Sequence, residues 1–136
     1  MNVQPYLMFG GRCQEAADFY GNALGAKVQM AIHFKDSPDQ SMVTPDNRDK
    51  VMHMRLRIGD SIMLLSDGRC GGNPTFDGFS MSINVDSAAE AERYFAALSE
   101  GGKVQMPLTR TFFSPAFGML ADRFGVSWMI HVETSN

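Results

Sequence analysis

Apolar and polar residues alternate from Ser80 to Val85: Met81, Ile83 and Val85 fall on one side, Ser80, Ser82 and Asn84 on the other. That two-residue period is the mark of a half-buried strand. The period then changes. Ser87 and Glu90 form an S-x-x-E capping box, and Ala91, Tyr94, Phe95 and Leu98 recur as one apolar stripe at helical spacing. Gly101-Gly102 stops this helix, and Lys103 to Met106 begins a strand. Pro107 to Pro115 reads as a loop, and Phe117 to Asp122 with Val126 to Val132 reads as a hairpin around Arg123-Phe124-Gly125. Nearer the N-terminus the pattern predicts the same order. A strand over Tyr6 to Phe9, a helix over Cys13 to Leu24 and a strand over Lys27 to Phe34 precede a hairpin of Val51 to Ile58 and Ser61 to Ser66, turning at Gly59-Asp60. Asp67 to Gly78, with its glycines, proline and asparagine, suits a connection.

The two stretches resemble one another at an offset of about 75 positions. Glu15-Ala16, Phe19-Tyr20, Leu24-Gly25 and Lys27-Val28-Gln29-Met30 have counterparts in Glu90-Ala91, Tyr94-Phe95, Leu98, Gly101-Gly102 and Lys103-Val104-Gln105-Met106. An internal repeat of a strand-helix-three-strand unit follows.

Composition narrows the partners. The 136 residues carry 12 Lys plus Arg against 15 Asp plus Glu, a net charge of −3, with no run of like charges. Nucleic acid and acidic membrane surfaces are therefore not expected partners. Apolar stretches such as Ile62 to Leu65 and Val126 to Val132 are far short of the roughly 20 residues that span a bilayer. Met1 to Pro5 has neither a basic start nor an apolar core, so a soluble cytoplasmic protein is expected. Cys13 and Cys70 lack CxxC spacing and are expected to be reduced thiols.

The chain resembles the PhnB-like branch of the vicinal oxygen chelate superfamily, which includes glyoxalase I, extradiol dioxygenases, fosfomycin-resistance transferases and bleomycin-binding proteins. The matching stretches are Pro5-Tyr6-Leu7-Met8-Phe9, Glu15-Ala16 to Phe19-Tyr20, Leu24-Gly25-Ala26, Met52-His53-Met54-Arg55-Leu56, Ser66-Asp67, Gly78-Phe79, Phe117-Gly118-Met119 and Asp122 to Ile130. The resemblance implies an α+β fold: two tandem βαβββ modules, about residues 3–67 and 78–134 of a single domain, forming a curved mixed sheet around a cavity. It also implies a homodimer. One label in this branch names a methyl transfer to demethylubiquinone, but no Gly-rich turn that would cradle a nucleoside cofactor is read between the opening strand and helix.

In such a cup the alternation sends Val126, Trp128, Ile130 and Val132 to the helix side and leaves Ser127, Met129 and His131 for the cavity. Likewise Met52, Met54, Leu56 and Ile58 face the helix, while His53, Arg55 and Arg57 face away. The second unit adds Ser80, Ser82 and Asn84.

Catalysis in the superfamily usually rests on a divalent ion held by His, Gln or Glu at four places, where it polarises substrate oxygens as a Lewis acid. The resemblance puts Pro5, Leu64, Ser80 and Met129 at those places. None is a usual ligand for such an ion, so no cofactor is expected, with a divalent metal at a non-standard site left open. His33, His53 and His131 have no close metal-binding spacing.

Other residues keep two readings. His53 is either the candidate catalytic residue or a histidine bonded within the sheet. Arg55 with His53 offers a planar fork and a donor for a carboxylate, phosphate or phosphonate, or Arg55 forms an internal ion pair with Asp67 or Glu133. Asp67 itself reads as a loop anchor before a general base. Thr109 to Phe117, with Phe112 and Phe113, either covers the cavity mouth or packs in a core or dimer. The polar segment from Lys35 to Lys50 is either a lid or mobile. The 11 methionines suit a compliant core, with Met129 the exception that lines a pocket.

The reading that joins these is a metal-free protein binding a small, anionic molecule through His53, Arg55, Ser80, Ser82, Met129, Phe112 and Phe113. The alternatives are a lyase, isomerase or dioxygenase with a relocated metal, and a drug-sequestering protein of the bleomycin type.

Overall fold

The computed structural model describes residues 1–68 and 73–133, so the expected reduced thiol of Cys70 lies outside the described residues. Contacts divide the chain into two compact units, Met1–Pro74 and Thr75–Asn136, with the division inside the expected connection.

The first unit runs β1 (Tyr6–Met8), α1 (Cys13–Leu24), β2 (Lys27–His33), β3 (Val51–Ile58) and β4 (Ser61–Ser66). Its sheet has the order β1-β4-β3-β2, with β1 parallel to β4 and the other pairs antiparallel. Gly59, at φ 57°, supplies the left-handed conformation of the β3–β4 hairpin turn. The face toward the helix buries Leu7, Met54, Leu56, Met63 and Leu65 with Ala16, Phe19 and Tyr20. Each large side chain removed from water contributes about 1.5–3 kcal/mol. Helix α1 has no side-chain cap at Arg12. Instead Asp67 Oδ1 accepts the N–H groups of Gly11 at 2.9 Å and Cys13 at 2.7 Å, and its Oδ2 accepts Val51 N–H at 2.8 Å. A carboxylate there satisfies orphan amides and meets the positive end of the helix dipole.

The second unit repeats the plan with β5 (Met81–Val85), α2 (Ala88–Ser99), β6 (Lys103–Thr109), β7 (Phe117–Ala121) and β8 (Ser127–Val132) in the order β5-β8-β7-β6. Ser87 Oγ accepts Glu90 N–H at 3.2 Å, the capping interaction its sequence predicts. Helix α2 packs on all four strands and buries Ala91 and Leu98 against Leu120, Trp128 and Ile130 on the same side of the sheet.

The structure changes several local expectations. Strand β6 continues through Pro107 to Thr109, which the sheet permits because β6 is an edge strand and a missing N–H there costs no ladder bond. A two-glycine turn does join β1 to α1, with Gly10 at φ 61° and Gly11 at φ 106°. Its Gly11 N–H and the helix's Cys13 N–H are occupied by Asp67, so this helix start does not offer those groups to a phosphate. Within the 35–50 segment and at its start, Phe34 N–H donates to Lys50 O, Lys35 N–H donates to Arg48 O, and Asn47 hydrogen-bonds with Thr44 and Met42.

Candidate functional site

In the first unit, one row of residues crosses the sheet on the side opposite the core: Tyr6, Leu64, Arg55 and Met30 are register partners on β1, β4, β3 and β2. His53 stands two residues before Arg55 on the same face of β3. Tyr6 Oη lies 2.8 Å from His53 Nδ1, with the ring centroids 5.5 Å apart. Burial raises the Tyr6 phenol above its ordinary 10.0, so it remains a donor through neutral pH. The Arg55 guanidinium has no hydrogen bond or ion pair among the described residues. The ion pair between Arg55 and Asp67 is therefore not formed: all three bonds to the Asp67 carboxylate come from backbone amides, and Asp67 is only 2% exposed.

In the second unit, a cavity of about 520 Å³ opens beside β5 and β8. Its wall is formed by the segment from Phe76 to Ser80, with Gln105, Ala121, Gly125, Ser127 and Met129. Ser80 Oγ and Ser127 Oγ share a hydrogen bond of 2.8 Å. Gln105 reaches this wall because β6 bulges between Val104 and Met106. The extra residue of a bulge is left unpaired and re-aimed. The wall thus carries hydroxyls, an amide, a thioether and aromatic carbon, with Asp77 its one charged side chain.

The structure brings Ser80 and Met129 together in this cavity. Ser82 is Met129's register partner but does not line it. Phe112 and Phe113 do not line it either. They form an edge-to-face ladder that continues to Phe117 and the His131 ring, with centroids 5.1, 5.1 and 6.4 Å apart. Their loop is pinned by Ser114, whose hydroxyl bonds to both Ala116 and Val132. Sequence reasoning missed Tyr6 and Gln105. The twice-used Lys-Val-Gln-Met pointed to Gln105, since both copies carry a register shift at the glutamine.

The metal that the resemblance implies does not fit the residues it puts at the four places. Pro5 offers no side-chain donor and its carbonyl accepts Leu64 N–H at 2.9 Å. Leu64 is a hydrocarbon, Ser80 shares its hydroxyl with Ser127, and Met129 presents only a soft thioether. Among the described residues, no three of His, Cys, Asp and Glu converge as a ligand set.

Two tandem mixed sheets, each with one helix on one face, define the class: the glyoxalase/bleomycin-resistance/dioxygenase fold. A solved domain so described from Frankia sp. EAN1pec is 13% identical with a TM-score of 0.66, covering 98% of this chain and 95% of that one. Within that class the chain belongs to the family described as 3-demethylubiquinone-9 3-methyltransferase, whose model matches residues 1–131. Protein PA1353 from Pseudomonas aeruginosa is 45% identical with a TM-score of 0.87, covering 99% of both chains. Protein YjdN of Escherichia coli K12 is 32% identical over 97% of this chain and 95% of its own. A Bacillus cereus structure described as a putative 3-demethylubiquinone-9 3-methyltransferase, PhnB protein, is 23% identical with a TM-score of 0.80, covering 97% and 99%. No helix among the described residues is long and apolar enough to cross a membrane.

Proposed function

We propose that this protein binds a small molecule in the second-unit cavity without a metal ion, and that Ser80, Ser127, Gln105 and Met129 make the contacts. One observation carries the reading. The cavity opens at Ser80 and Met129, two of the places at which the resemblance puts the superfamily's metal ligands, and its volume is that of a small-ligand site. Hydroxyls and an amide there can hydrogen-bond a ligand's oxygens, and Met129 adapts to its carbon skeleton. With Asp77 in the wall and no cation, this cavity suits an uncharged, oxygen-bearing compound better than the anion expected from sequence. Exposed Val28 and Met30 on the edge strand β2 support a homodimer, and the reading places the protein in the cytoplasm.

The test is a thermal-shift screen of small neutral oxygenated compounds against protein purified without chelator, before and after dialysis against EDTA. Compounds that stabilise both preparations equally, and lose their effect with Ser127→Val or Met129→Lys, support the proposal. At a hundredfold excess over Kd the stabilisation is about 2.7 kcal/mol. A stoichiometric divalent ion whose removal abolishes binding overturns it.

A further inference from the structure

We infer that Asp77-Gly78 is a site of spontaneous covalent modification, where the backbone nitrogen of Gly78 closes on the Asp77 carboxyl to give a succinimide that water reopens mainly as isoaspartate. The pair stands in the wall of the second-unit cavity. Its chemistry does not depend on what that cavity binds.

The chain has two Asp-Gly pairs, Asp67-Gly68 and Asp77-Gly78, and no Asn-Gly pair. Their sequence chemistry is the same, since glycine puts no side chain beside the attacking nitrogen. Their surroundings are opposite. Asp67 is 2% exposed and its oxygens accept the N–H groups of Gly11, Cys13 and Val51, while Gly68 N–H donates to Ser66 Oγ at 2.9 Å. Carboxyl and nitrogen can meet there only by breaking bonds that hold the starts of α1 and β3. Asp77 and Gly78 are both exposed and lie outside every helix and strand. The Gly78 N–H and the Asp77 carboxylate have no hydrogen bond, and the carboxylate has no ion pair, among the described residues. Gly78 has φ 80°, and a Cβ built on it would meet nothing within 4 Å. A glycine in open space, held by no bond, crosses readily between conformers, and the approach of its nitrogen to Asp77 Cγ is one such crossing.

In the first step a bond forms from Gly78 N to Asp77 Cγ, and the hydroxyl of the carboxylic acid leaves with the amide proton as water. Water then adds back and cleaves either C–N bond of the ring. Cleavage at Cγ restores aspartate. Cleavage at the Asp77 carbonyl carbon leaves the main chain running through Cγ, longer by a methylene, with the carboxylate now on Cα. Nothing but water is exchanged. The longer segment leads into Ser80, whose hydroxyl bonds to Ser127 at 2.8 Å, so this wall must readjust.

The test holds the full-length protein at neutral pH and 37 °C for several weeks. Peptide mapping with electron-transfer fragmentation separates isoaspartate from aspartate at each pair, and methyl transfer from S-adenosylmethionine by a protein-isoaspartate carboxyl methyltransferase counts the total. Free peptides covering each pair serve as the unlocked reference. Both peptides should accumulate isoaspartate at comparable rates. In the native protein Asp77 should keep pace with its peptide, and Asp67 should fall behind its own at least about tenfold. Asp77→Glu, which would need a larger ring, should leave only the Asp67 background. Asp77→Asn, which expels ammonia instead of water, should raise the signal. In the isoaspartate fraction, separated by ion exchange, the amide shifts of Ser80 and Ser127 should move. Native protein without isoaspartate at Asp77 when its peptide has accumulated it, or equal accumulation at Asp67 and Asp77, overturns the site. Unmoved Ser80 and Ser127 shifts overturn its effect on the wall. Neither readout needs a ligand, so failure of this inference and failure of the binding proposal are seen apart.

Discussion

The Trp128 indole donates its Nε1–H to Asp122 Oδ2 at 2.8 Å, and both residues are at most 3% exposed. The other oxygen of the same carboxylate accepts Phe124 N–H at 2.9 Å and Val126 N–H at 3.0 Å. One side chain therefore closes the β7–β8 turn and anchors the largest core residue of the second unit. Asp67 does corresponding work in the first unit, where it joins the start of α1 to the start of β3. The stretch from Asp122 to Ile130, the most specific part of the resemblance, thus has a physical reason in folding that is independent of any ligand.

Asp122→Ala should lower stability by about 3 kcal/mol or more, because three buried donors lose their acceptor and each unsatisfied donor costs about 1–3 kcal/mol. Asp122→Asn should cost less: one amide oxygen can still serve the turn, while its NH2 group faces the Trp128 donor. Urea unfolding followed by Trp128 fluorescence measures both. Equal stability of the two variants would show that the turn bonds which asparagine can keep contribute nothing.

Asp67→Ala should destabilise the chain by about 3–5 kcal/mol, combining the loss of a helix-start acceptor with an unsatisfied amide at Val51. Hydrogen exchange should locate the effect. The amides of Gly11, Cys13 and Val51 should lose protection beyond the global change in stability, and the second unit's hairpin should not. Uniform loss of protection across both units would contradict this local role.

Legibility followed locality. The capping box at Ser87 and the glycine at the β3–β4 turn are decided by neighbours within a few residues, so the sequence shows them directly. Alternation assigned Trp128 and Ile130 to the core and Ser127 and Met129 to the open face, because a strand covered on one side must alternate. Gln105 escaped this logic, since a bulge breaks the two-residue period where it redirects a side chain. Tyr6 and His53 are 47 residues apart, and no spacing rule joins a three-residue strand to the middle of another. The Asp67 anchor was legible only as a loop-exit aspartate, because its partners Gly11 and Cys13 come from the opposite end of the unit.

Gly102→Ala should be more damaging than Gly101→Ala, although Gly101 is the one at positive φ, 75°. A Cβ at Gly102 would lie against the Ala121 carbonyl oxygen and 2.9 Å from the Asp122 backbone, which cannot retreat without opening the β6–β7 ladder. At Gly101 the nearest atoms are the flexible Arg123 side chain at 3.3 Å, so the cost is mainly conformational, about 1–2 kcal/mol. For Gly102→Ala the expected loss is about 3 kcal/mol. Midpoints in urea rank the two, and the reverse order would mean that the backbone there yields easily.

Cys13 links burial to pH. The thiol is fully buried, and burial, with the Asp67 carboxylate adding to it, pushes its pKa up to about 12. In the unfolded chain a cysteine titrates near about 8.5. Between those values the unfolded chain has released the proton that the folded chain keeps. Stability is therefore intact below the lower value and falls as pH rises toward the upper one, by at most about 1.4 kcal/mol per pH unit. Tyrosines and lysines titrate in the same range, so the informative quantity is the difference between the wild type and Cys13→Ala. The variant should be less stable by a constant amount near neutrality, from the lost sulfur packing, and this deficit should shrink as pH rises above about 9. A thiol reagent gives an independent check. In a Cys70→Ser background at pH 8, modification should proceed no faster than global unfolding, and reaction of the native protein at the rate of a free thiol would show that Cys13 is not sealed by the packing of α1.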